Sequence, residues 1–201
     1  MTILSIGLQE WAVTCTALSA GATLVIVRKG GIHERHGGLF APEHEHFALL
    51  PTRLHQDAGR LRPDVAEAYA DQFEADPEPG VITITAWAET ICAWKVTDRA
   101  RLTTIADELI WSDAEIDTRF RYRDQPWLFV LALRVHRLGR VQTIPDRPAY
   151  AGCRSWIPLQ DTVDLSASQP VLSDAQCAER LAALDQALGV SPSPQSLAPS
   201  P

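Results

Sequence analysis

Trp127-Leu-Phe-Val-Leu-Ala-Leu-Arg-Val135 is the most hydrophobic stretch of the chain, and its composition restricts the fold more than any other segment does. A membrane-spanning helix needs ~20 apolar residues, and this stretch is far shorter. Short continuous apolar runs are typical of strands that are covered on both faces. We therefore predict that residues 127–135 form a central strand, and we arrange the remaining segments around it.

Periodicity predicts further elements on both sides of this strand. The predicted helices are 8–20, 63–75, 99–111 and 174–188, and the predicted strands or short apolar runs are 23–27, 47–50, 81–87 and 141–144. Arg119-Phe-Arg-Tyr-Arg123 alternates between cationic and aromatic side chains, which indicates a half-buried strand or the end of a helix that leads into one. Because helices and strands follow in mixed order, we predict an α+β fold with a mainly antiparallel sheet, or a partly closed barrel, flanked by helices.

The chain has 201 residues, of which 46% are hydrophobic, and this is enough for one domain with a sizeable core. We predict a single folded unit over residues 1–190, with residues 76–80 as the place where it could be divided. Residues 191–201 are rich in proline and serine and are predicted to be a disordered tail. The cysteines are far apart and no secretory signal is recognisable, so we predict a cytoplasmic protein.

Charge is distributed unevenly along the chain, whose net charge is −7 at pH 7. Residues 119–156 contain eight arginines and two aspartates, so this segment carries +6 and the remainder carries −13. The acidic remainder argues against unspecific binding of polyanions, whereas the basic segment is compatible with a local anion-binding surface. The common nucleotide-binding, serine-hydrolase and zinc-protease motifs are absent from the sequence.

Five of the six histidines lie between residues 33 and 55, where they are interspersed with glutamates. On an extended strand His44 and His46 would share a face, and His33 could supply a third ligand. Imidazole and carboxylate are common ligands of zinc, iron and manganese, so this segment predicts a site for a divalent metal. The alternative is a solvated polar hairpin that binds nothing.

Side chains at two predicted strand ends are candidates for a ligand site. Paired glycines let the backbone approach a ligand closely, and loops at strand ends often line clefts. The candidates after the strand at 23–27 are Lys29, Gly30, Gly31 and Glu34, and those after the apolar run at 47–50 are His55 and Gln56. Lys29, Glu34 and His55 are the candidates for catalysis, with Glu34 or His55 in proton transfer.

Arginines and aromatic residues are concentrated in the basic segment at 119–156. Guanidinium forks match phosphates, and aromatic faces stack on unpaired bases. The candidates for ligand binding are Arg121, Arg134, Tyr150, Arg154 and Trp156. The alternative is a sheet whose arginines are solvated or paired with acids and whose aromatic residues belong to the core.

Two polar stretches that contain glycine, 29–34 and 150–156, are far apart in sequence but both adjoin apolar strands. Because loops at strand ends converge into pockets, we predict that both stretches contribute to one pocket. Its predicted lining is Lys29, Glu34, His55, Arg154 and Trp156.

Several separated motifs of the chain occur together, and in this order, in one protein family. They are Leu8-Gln-Glu-Trp11, Arg28-Lys-Gly-Gly-Ile32 with Glu34, Phe47 with Pro51-Thr52 and His55-Gln56, Leu133-Arg-Val-His-Arg-Leu138, and Tyr150-Ala-Gly-Cys-Arg-Ser-Trp156. Over residues 8–160 the chain resembles the bacterial domain-of-unknown-function family 1802. The resemblance implies no activity, but it implies that a function should be sought at these positions.

The opening of the chain also resembles that of ASCH domains in the PUA-like group. A helix, the stretch Ala17-Leu-Ser-Ala-Gly21 and a strand that ends in Arg28-Lys29 carry this likeness. It implies a small PUA-like β-barrel of a kind that handles RNA or modified nucleosides. The Gly-Lys-Thr stretch that usually follows the first helix is absent, since Ala22-Thr23 lacks the lysine, so the likeness concerns fold rather than function.

These observations lead to three functional hypotheses. The first is a nucleic-acid- or nucleotide-binding module, with hydrolysis of that ligand as an option. The second is a metal-dependent hydrolase that uses the histidines and glutamates at 33–55, and the third is a partner-binding protein without chemistry. The sequence leaves the reaction, the substrate, the metal content and the oligomeric state open.

Overall fold

The computed structural model describes residues 3–29, 43–74, 78–152 and 154–189. The strands are β1 (Ile3–Trp11), β2 (Val25–Arg28), β3 (His46–Thr52), β4 (Val81–Val96), β5 (Leu128–Pro145), β6 (Trp156–Asp164) and β7 (Gln169–Pro170). The α-helices are α1 (Ala12–Ser19), α2 (Pro63–Ala68), α3 (Asp71–Glu74), α4 (Arg99–Thr103), α5 (Asp113–Arg121) and α6 (Asp174–Leu188). No helix in these ranges is both long enough and apolar enough to cross a membrane.

The strands form one sheet in the order β2-β5-β4-β3-β1-β6, and β7 pairs with β5. β1 and β3 run parallel, and the other strand pairs within the described ranges are antiparallel. Helices pack on the sheet through a shared apolar cluster. The predicted α+β class with a mainly antiparallel sheet and flanking helices is thus confirmed.

The apolar segment at 127–135 forms the first half of β5 from Leu128 onwards, where it is covered on both faces. Phe129 and Leu131 point into a cluster enclosed by the curved sheet, whereas Leu128 and Val130 pack into the cluster that the helices share. In this region β5 pairs with both β2 and β4. The prediction of a central strand is confirmed, and burial on both faces explains why its residues are continuously apolar.

The sheet curves strongly, so that β1 to β6 all contribute to the enclosed cluster. One residue from each of these strands is Leu8, Ile26, Phe47, Ala86, Leu131 and Trp156. Near the carboxyl ends of β5 and β6, the Gln142 side-chain amide donates to the Asp164 carbonyl oxygen at 2.7 Å and accepts from the Asp164 N–H at 2.9 Å. This side chain joins β5 to β6, which are not neighbours in the sheet, so the open sheet is partly closed.

Several predicted elements differ from those in the structure. Residues 8–11 belong to β1 rather than to a helix, because all four pair with β3 and Leu8 also pairs with β6. Residues 119–123 are the end of α5 and the following turn. The predicted helix end is therefore confirmed, and the alternative prediction of a strand is wrong. The helix predicted at 99–111 ends already at Thr103, whereas α6 matches the helix predicted at 174–188.

The predicted tail at 191–201 lies outside the described residues, and the extent of the folded unit stays a prediction.

Candidate functional site

A cavity of about 460 Å³ opens where the carboxyl ends of β1, β2 and β3 meet α5 and the segment before β6. The strand curvature places these ends side by side, although β1 and β2 are far apart in the sheet order. The lining consists of Gln9, Glu10, Trp11, Val27, Arg28, Lys29, Thr52, Leu54, His55, Arg60, Trp111, Glu115, Thr118, Arg119, Tyr122, Gly152, Arg154 and Ser155.

A buried ion pair joins the two strand ends at one side of this cavity. The Arg28 guanidinium donates from Nη1 to Glu10 Oε1 at 2.8 Å and from Nη2 to the Gln9 carbonyl oxygen at 3.2 Å. The Glu10 side chain is only 5% exposed, so its charge needs a close partner. Arg28 supplies that partner, and the pair ties the edge strand β2 to β1.

A second ion pair lies on α5, and its sequence spacing explains its geometry. Ser112 caps the helix by accepting a hydrogen bond from the Glu115 N–H at 3.3 Å. One turn on, Arg119 Nε donates to Glu115 Oε1 at 2.8 Å, as side chains four residues apart on a helix can do. Burial lowers the pKa of Arg119, and the hydrogen bond with Glu115 opposes that shift.

Aromatic side chains form another part of the lining. The rings of Trp11 and Trp111 meet edge to face with centroids 4.9 Å apart, and the Arg119 guanidinium lies 3.6 Å from the centroid of Trp111. Tyr122 lies in the turn after α5 and is 39% exposed. Trp11 and Tyr122 therefore present aromatic surface to a ligand, next to the cationic side chains.

Lys29 lines the cavity, but its ammonium group is hydrogen-bonded to other parts of the protein. Its Nζ donates to the carbonyl oxygens of Phe120 at 3.3 Å, Trp127 at 2.6 Å and Gln125. It also lies 4.1 Å from the Trp127 ring centroid. Burial, followed by the nearby charge of Lys95, lowers the pKa of Lys29 to about 8. Its contacts are those of a residue that holds the segment between α5 and β5.

Exposed polar side chains surround the mouth of the cavity. His55 has a φ of 60°, a left-handed conformation that is costly for a residue with a Cβ and is often kept at functional positions. Arg60 lies 3.5 Å from Asp57 and 3.8 Å from Glu115. Arg154 is exposed, and no carboxylate of the described ranges pairs with it.

The cavity thus contains three of the residues predicted for a shared pocket, namely Lys29, His55 and Arg154. Trp156 is excluded from its lining, since it is buried against Phe47 and His44 with ring centroids 5.1 Å and 5.0 Å away. What these residues bind or catalyse stays a prediction.

Other predicted ligand-binding residues have structural partners away from the cavity. The buried Tyr150 accepts the Gln160 N–H at its hydroxyl oxygen at 2.8 Å. The side-chain amide of Gln56 accepts a hydrogen bond from the Val13 N–H and donates one to the Gln72 carbonyl oxygen.

The two remaining predicted arginines are also absent from the cavity lining. Arg134 pairs with Asp174 at the start of α6 and lies 3.9 Å from Glu89. Arg121 lies at the exposed end of α5, with its nearest carboxylate, Asp117, at 4.0 Å. Neither arginine lines the cavity, and their predicted role in ligand binding stays a prediction.

The histidines predicted to bind a metal have different surroundings from one another. His46 Nε2 lies 3.6 Å from Glu89, which His136 approaches to 3.0 Å, whereas His44 contacts Trp156 of β6. Within the described ranges no three His, Cys, Asp or Glu side chains are placed to hold a metal ion. His33, Glu34, Gly30 and Gly31 lie outside those ranges, so their predicted roles remain untested.

The individual candidates included only Lys29, His55 and Arg154 of the lining, although the motifs quoted for the family resemblance contain further lining residues. Glu10 and Trp11 were assigned to a helix, whereas they are the last residues of a strand. Glu115 and Arg119 were not singled out together, although their spacing of four residues was a usable signal. Trp111 and Arg60 gave no such signal, because only the tertiary fold brings them to this cavity.

The chemistry of the lining is cationic and aromatic. Five cationic side chains (Arg28, Lys29, Arg60, Arg119 and Arg154) and two carboxylates (Glu10 and Glu115) leave an excess of three positive charges with His55 neutral. Two of the arginines neutralise the buried carboxylates, and the exposed arginines lie at the mouth. Such a cavity suits a ligand with a flat ring and an anionic group.

Solved structures with similar backbones are distant. The crystal structure of ASCH from Zymomonas mobilis matches with a TM-score of 0.40 at 12% identity, covering 89% of this chain and 94% of that one. Two point mutants of the same protein match at 12% and 11% identity, each with a TM-score of 0.39, covering 89% of this chain and 94% and 96% of theirs. Likeness at this level transfers no function.

Sequence comparison gives a firmer result. The search of curated proteins found no match. The family model described as "Domain of unknown function (DUF1802)" matches residues 7–183, which include every residue that lines the cavity. The chain therefore belongs to the DUF1802 family.

Proposed function

We propose that the cavity binds a nucleotide, either free or at the end of a nucleic-acid strand. The observation that carries this proposal is the combination of exposed arginines and aromatic rings around one cavity of about 460 Å³. Ligand pockets in proteins typically enclose ~300–1,000 Å³. The volume therefore suits one nucleotide and is too small for a length of duplex.

The phosphate group belongs at the mouth in this proposal. Arg28 and Arg119 already bond buried carboxylates at 2.8 Å, so their charge is largely neutralised within the protein. Arg60 has only longer contacts with acids, and Arg154 has no carboxylate partner in the described part of the chain. Guanidinium forks bind phosphate oxygens in pairs, so these two arginines are the phosphate ligands that we propose.

The base belongs against the aromatic part of the lining. One face of Trp111 is covered by Arg119, and Arg123 lies 5.4 Å from the ring centroid of Tyr122. The stacking surfaces that we propose are therefore Trp11 and the other face of Tyr122. Stacking of a base on an aromatic side chain contributes ~1–3 kcal/mol and tolerates different bases. The proposal therefore predicts binding of nucleosides as well as nucleotides, with the phosphate adding affinity.

The test is a titration of the purified protein with a nucleoside and with its 5′-monophosphate. Binding can be followed through tryptophan fluorescence, because Trp11 and Trp111 lie in the cavity wall. We expect Arg154→Ala to weaken monophosphate binding by about ten-fold at low salt, to reduce its salt dependence, and to leave nucleoside binding unchanged. Tyr122→Ala should weaken both ligands by about ten-fold.

Arg140→Ala is the matched control, since Arg140 is exposed on β5 and absent from the cavity lining. Its affinities should equal those of the wild type. The proposal fails if neither ligand binds the wild type, or if Arg154→Ala and Arg140→Ala have the same effect.

A further inference from the structure

The carboxylate of Glu115 is an acceptor that the protein uses only in part. Its side chain is 9% exposed and lies in the cavity wall. Its Oε1 atom accepts from Arg119 Nε at 2.8 Å and lies 3.8 Å from Arg60 Nη1. Within the described ranges, no donor hydrogen-bonds its Oε2 atom.

A ligand that fills the cavity would shield this oxygen from water, and a shielded carboxylate oxygen needs a donor, since burying it without one is costly. An anionic phosphate cannot serve, because the two charges would repel each other. A ligand that fills the cavity should therefore turn an N–H group towards Glu115. Its anionic part should remain with Arg60 and Arg154 at the mouth, where positive charge is exposed.

We propose that Glu115 selects nucleobases that carry an exocyclic amino group, by accepting a hydrogen bond from that group at Oε2. This inference rests on the proposed nucleotide binding and adds the class of base. Cytosine, adenine and guanine offer such an amino group, and a carboxylate is a known acceptor for the amino group of cytosine. Uracil instead presents carbonyl oxygens on both sides of its single N–H, and these would face a carboxylate unfavourably.

The first experiment compares ligands that differ in the amino group alone or nearly so. The pairs are CMP with UMP, in which an amino group is replaced by a carbonyl, and GMP with IMP, in which an amino group is removed. We expect wild-type protein to bind the amino-bearing member of each pair about ten-fold more tightly, as one good hydrogen-bonded contact to a base discriminates. This comparison requires no mutant, so a folding defect cannot obscure it.

The second experiment repeats the titrations with Glu115→Gln. The amide keeps the shape and one acceptor oxygen for Arg119 but places a donor where Oε2 was. We expect the CMP-to-UMP affinity ratio to fall towards one, mainly through weaker CMP binding. Glu67→Gln makes the same chemical change on the exposed surface of α2 and should leave the ratio unchanged.

The outcomes separate this inference from the proposed function. Equal binding of CMP and UMP by the wild type, or a ratio that survives Glu115→Gln, overturns the role of Glu115 while nucleotide binding stands. If none of the four nucleotides binds, the proposed function fails together with this inference. An amino-dependent preference that Glu115→Gln removes and Glu67→Gln preserves supports both.

Discussion

Lys29 shows how a side chain that looks functional in the sequence can be used to hold the fold. The motif Arg28-Lys-Gly-Gly-Ile32 suggested a cation ready for a ligand. In the structure Lys29 is 5% exposed, and three backbone carbonyls accept hydrogen bonds from its ammonium group. Those carbonyls lie about a hundred residues further along the chain, so no local pattern could have revealed them.

We expect Lys29→Met to lower the free energy of unfolding by about 2–4 kcal/mol, because it leaves three backbone carbonyl groups without their charged donor. Lys95→Met is the matched control, since Lys95 lies 4.6 Å from the same Trp127 ring centroid but is exposed. It should cost less than about 1 kcal/mol, the usual range of an exposed cation–π contact. Urea unfolding measures both, and equal losses would contradict the structural role of Lys29.

The stability of the wild type should also depend on pH through Lys29. Its pKa is lowered from 10.5 to about 8 in the folded protein, so between these values the unfolded chain holds more protons. Stability then rises with pH in that window and is independent of this group below it. We expect the difference in unfolding free energy between wild type and Lys29→Met to grow from pH 8 to pH 10.5. If this difference in free energy stays constant, the hydrogen bonds to the three carbonyls fully offset the effect of burial on the pKa of Lys29.

At the scale of elements, the junction of β1 and α1 explains why residues 8–20 looked like one helix. Leu8, Trp11 and Cys15 fit helical spacing, but the first part pairs with β3 and β6 in the sheet. No loop separates the two elements, and Trp11 caps α1 without a side-chain hydrogen bond. A periodicity argument cannot detect such a junction, because strand and helix meet without a glycine, a proline or a polar cap.

The missing cap is replaced by a residue from another part of the chain. Gln56 Oε1 accepts the Val13 N–H at 3.0 Å, and Gln56 Nε2 donates to the Gln72 carbonyl oxygen at 2.8 Å. We expect Gln56→Ala to cost about 1–2 kcal/mol of unfolding free energy, the usual cost of losing a helix N-cap.

A suitable comparison for Gln56→Ala is Gln160→Ala, since Gln160 is an exposed residue of β6. Chemical denaturation should show a loss for Gln56→Ala that clearly exceeds the loss for Gln160→Ala. An unchanged denaturation midpoint for Gln56→Ala would show that the cap is dispensable.

At the scale of the whole molecule, the strands themselves were more predictable than their arrangement. β5 and α6 were recognisable because composition and helical period are local properties. The cavity was only partly foreseen, since it depends on the curvature that brings the end of β2 next to the end of β1. Lys29, His55 and Arg154 were chosen for their place at strand ends, whereas Glu115 became a candidate only when the structure placed it in the cavity wall.

The Arg28–Glu10 ion pair forms only because the curved sheet brings β2 next to β1, so its contribution to stability tests this arrangement. It connects an edge strand to a strand four places away in the sheet order, beside the proposed ligand site. Arg28 is 15% exposed and Glu10 5% exposed, so removing the arginine leaves a carboxylate buried with its charge poorly compensated. Such losses cost about 3–5 kcal/mol, much more than losses of exposed ion pairs.

We therefore expect Arg28→Met to destabilise the protein by about 3–5 kcal/mol, and the additional change Glu10→Gln to restore part of that loss, because the stranded charge is then gone. The pair Arg62–Asp64, at 2.6 Å and with side chains that are 28% and 63% exposed, provides the control cycle through Arg62→Met and Asp64→Asn. Its coupling energy should stay below about 1 kcal/mol. Urea unfolding of the four single variants and the two double variants gives both coupling energies. If the Arg28 and Glu10 changes are additive, the pair does not hold the two strand ends together, and the cavity must keep its shape through apolar packing alone.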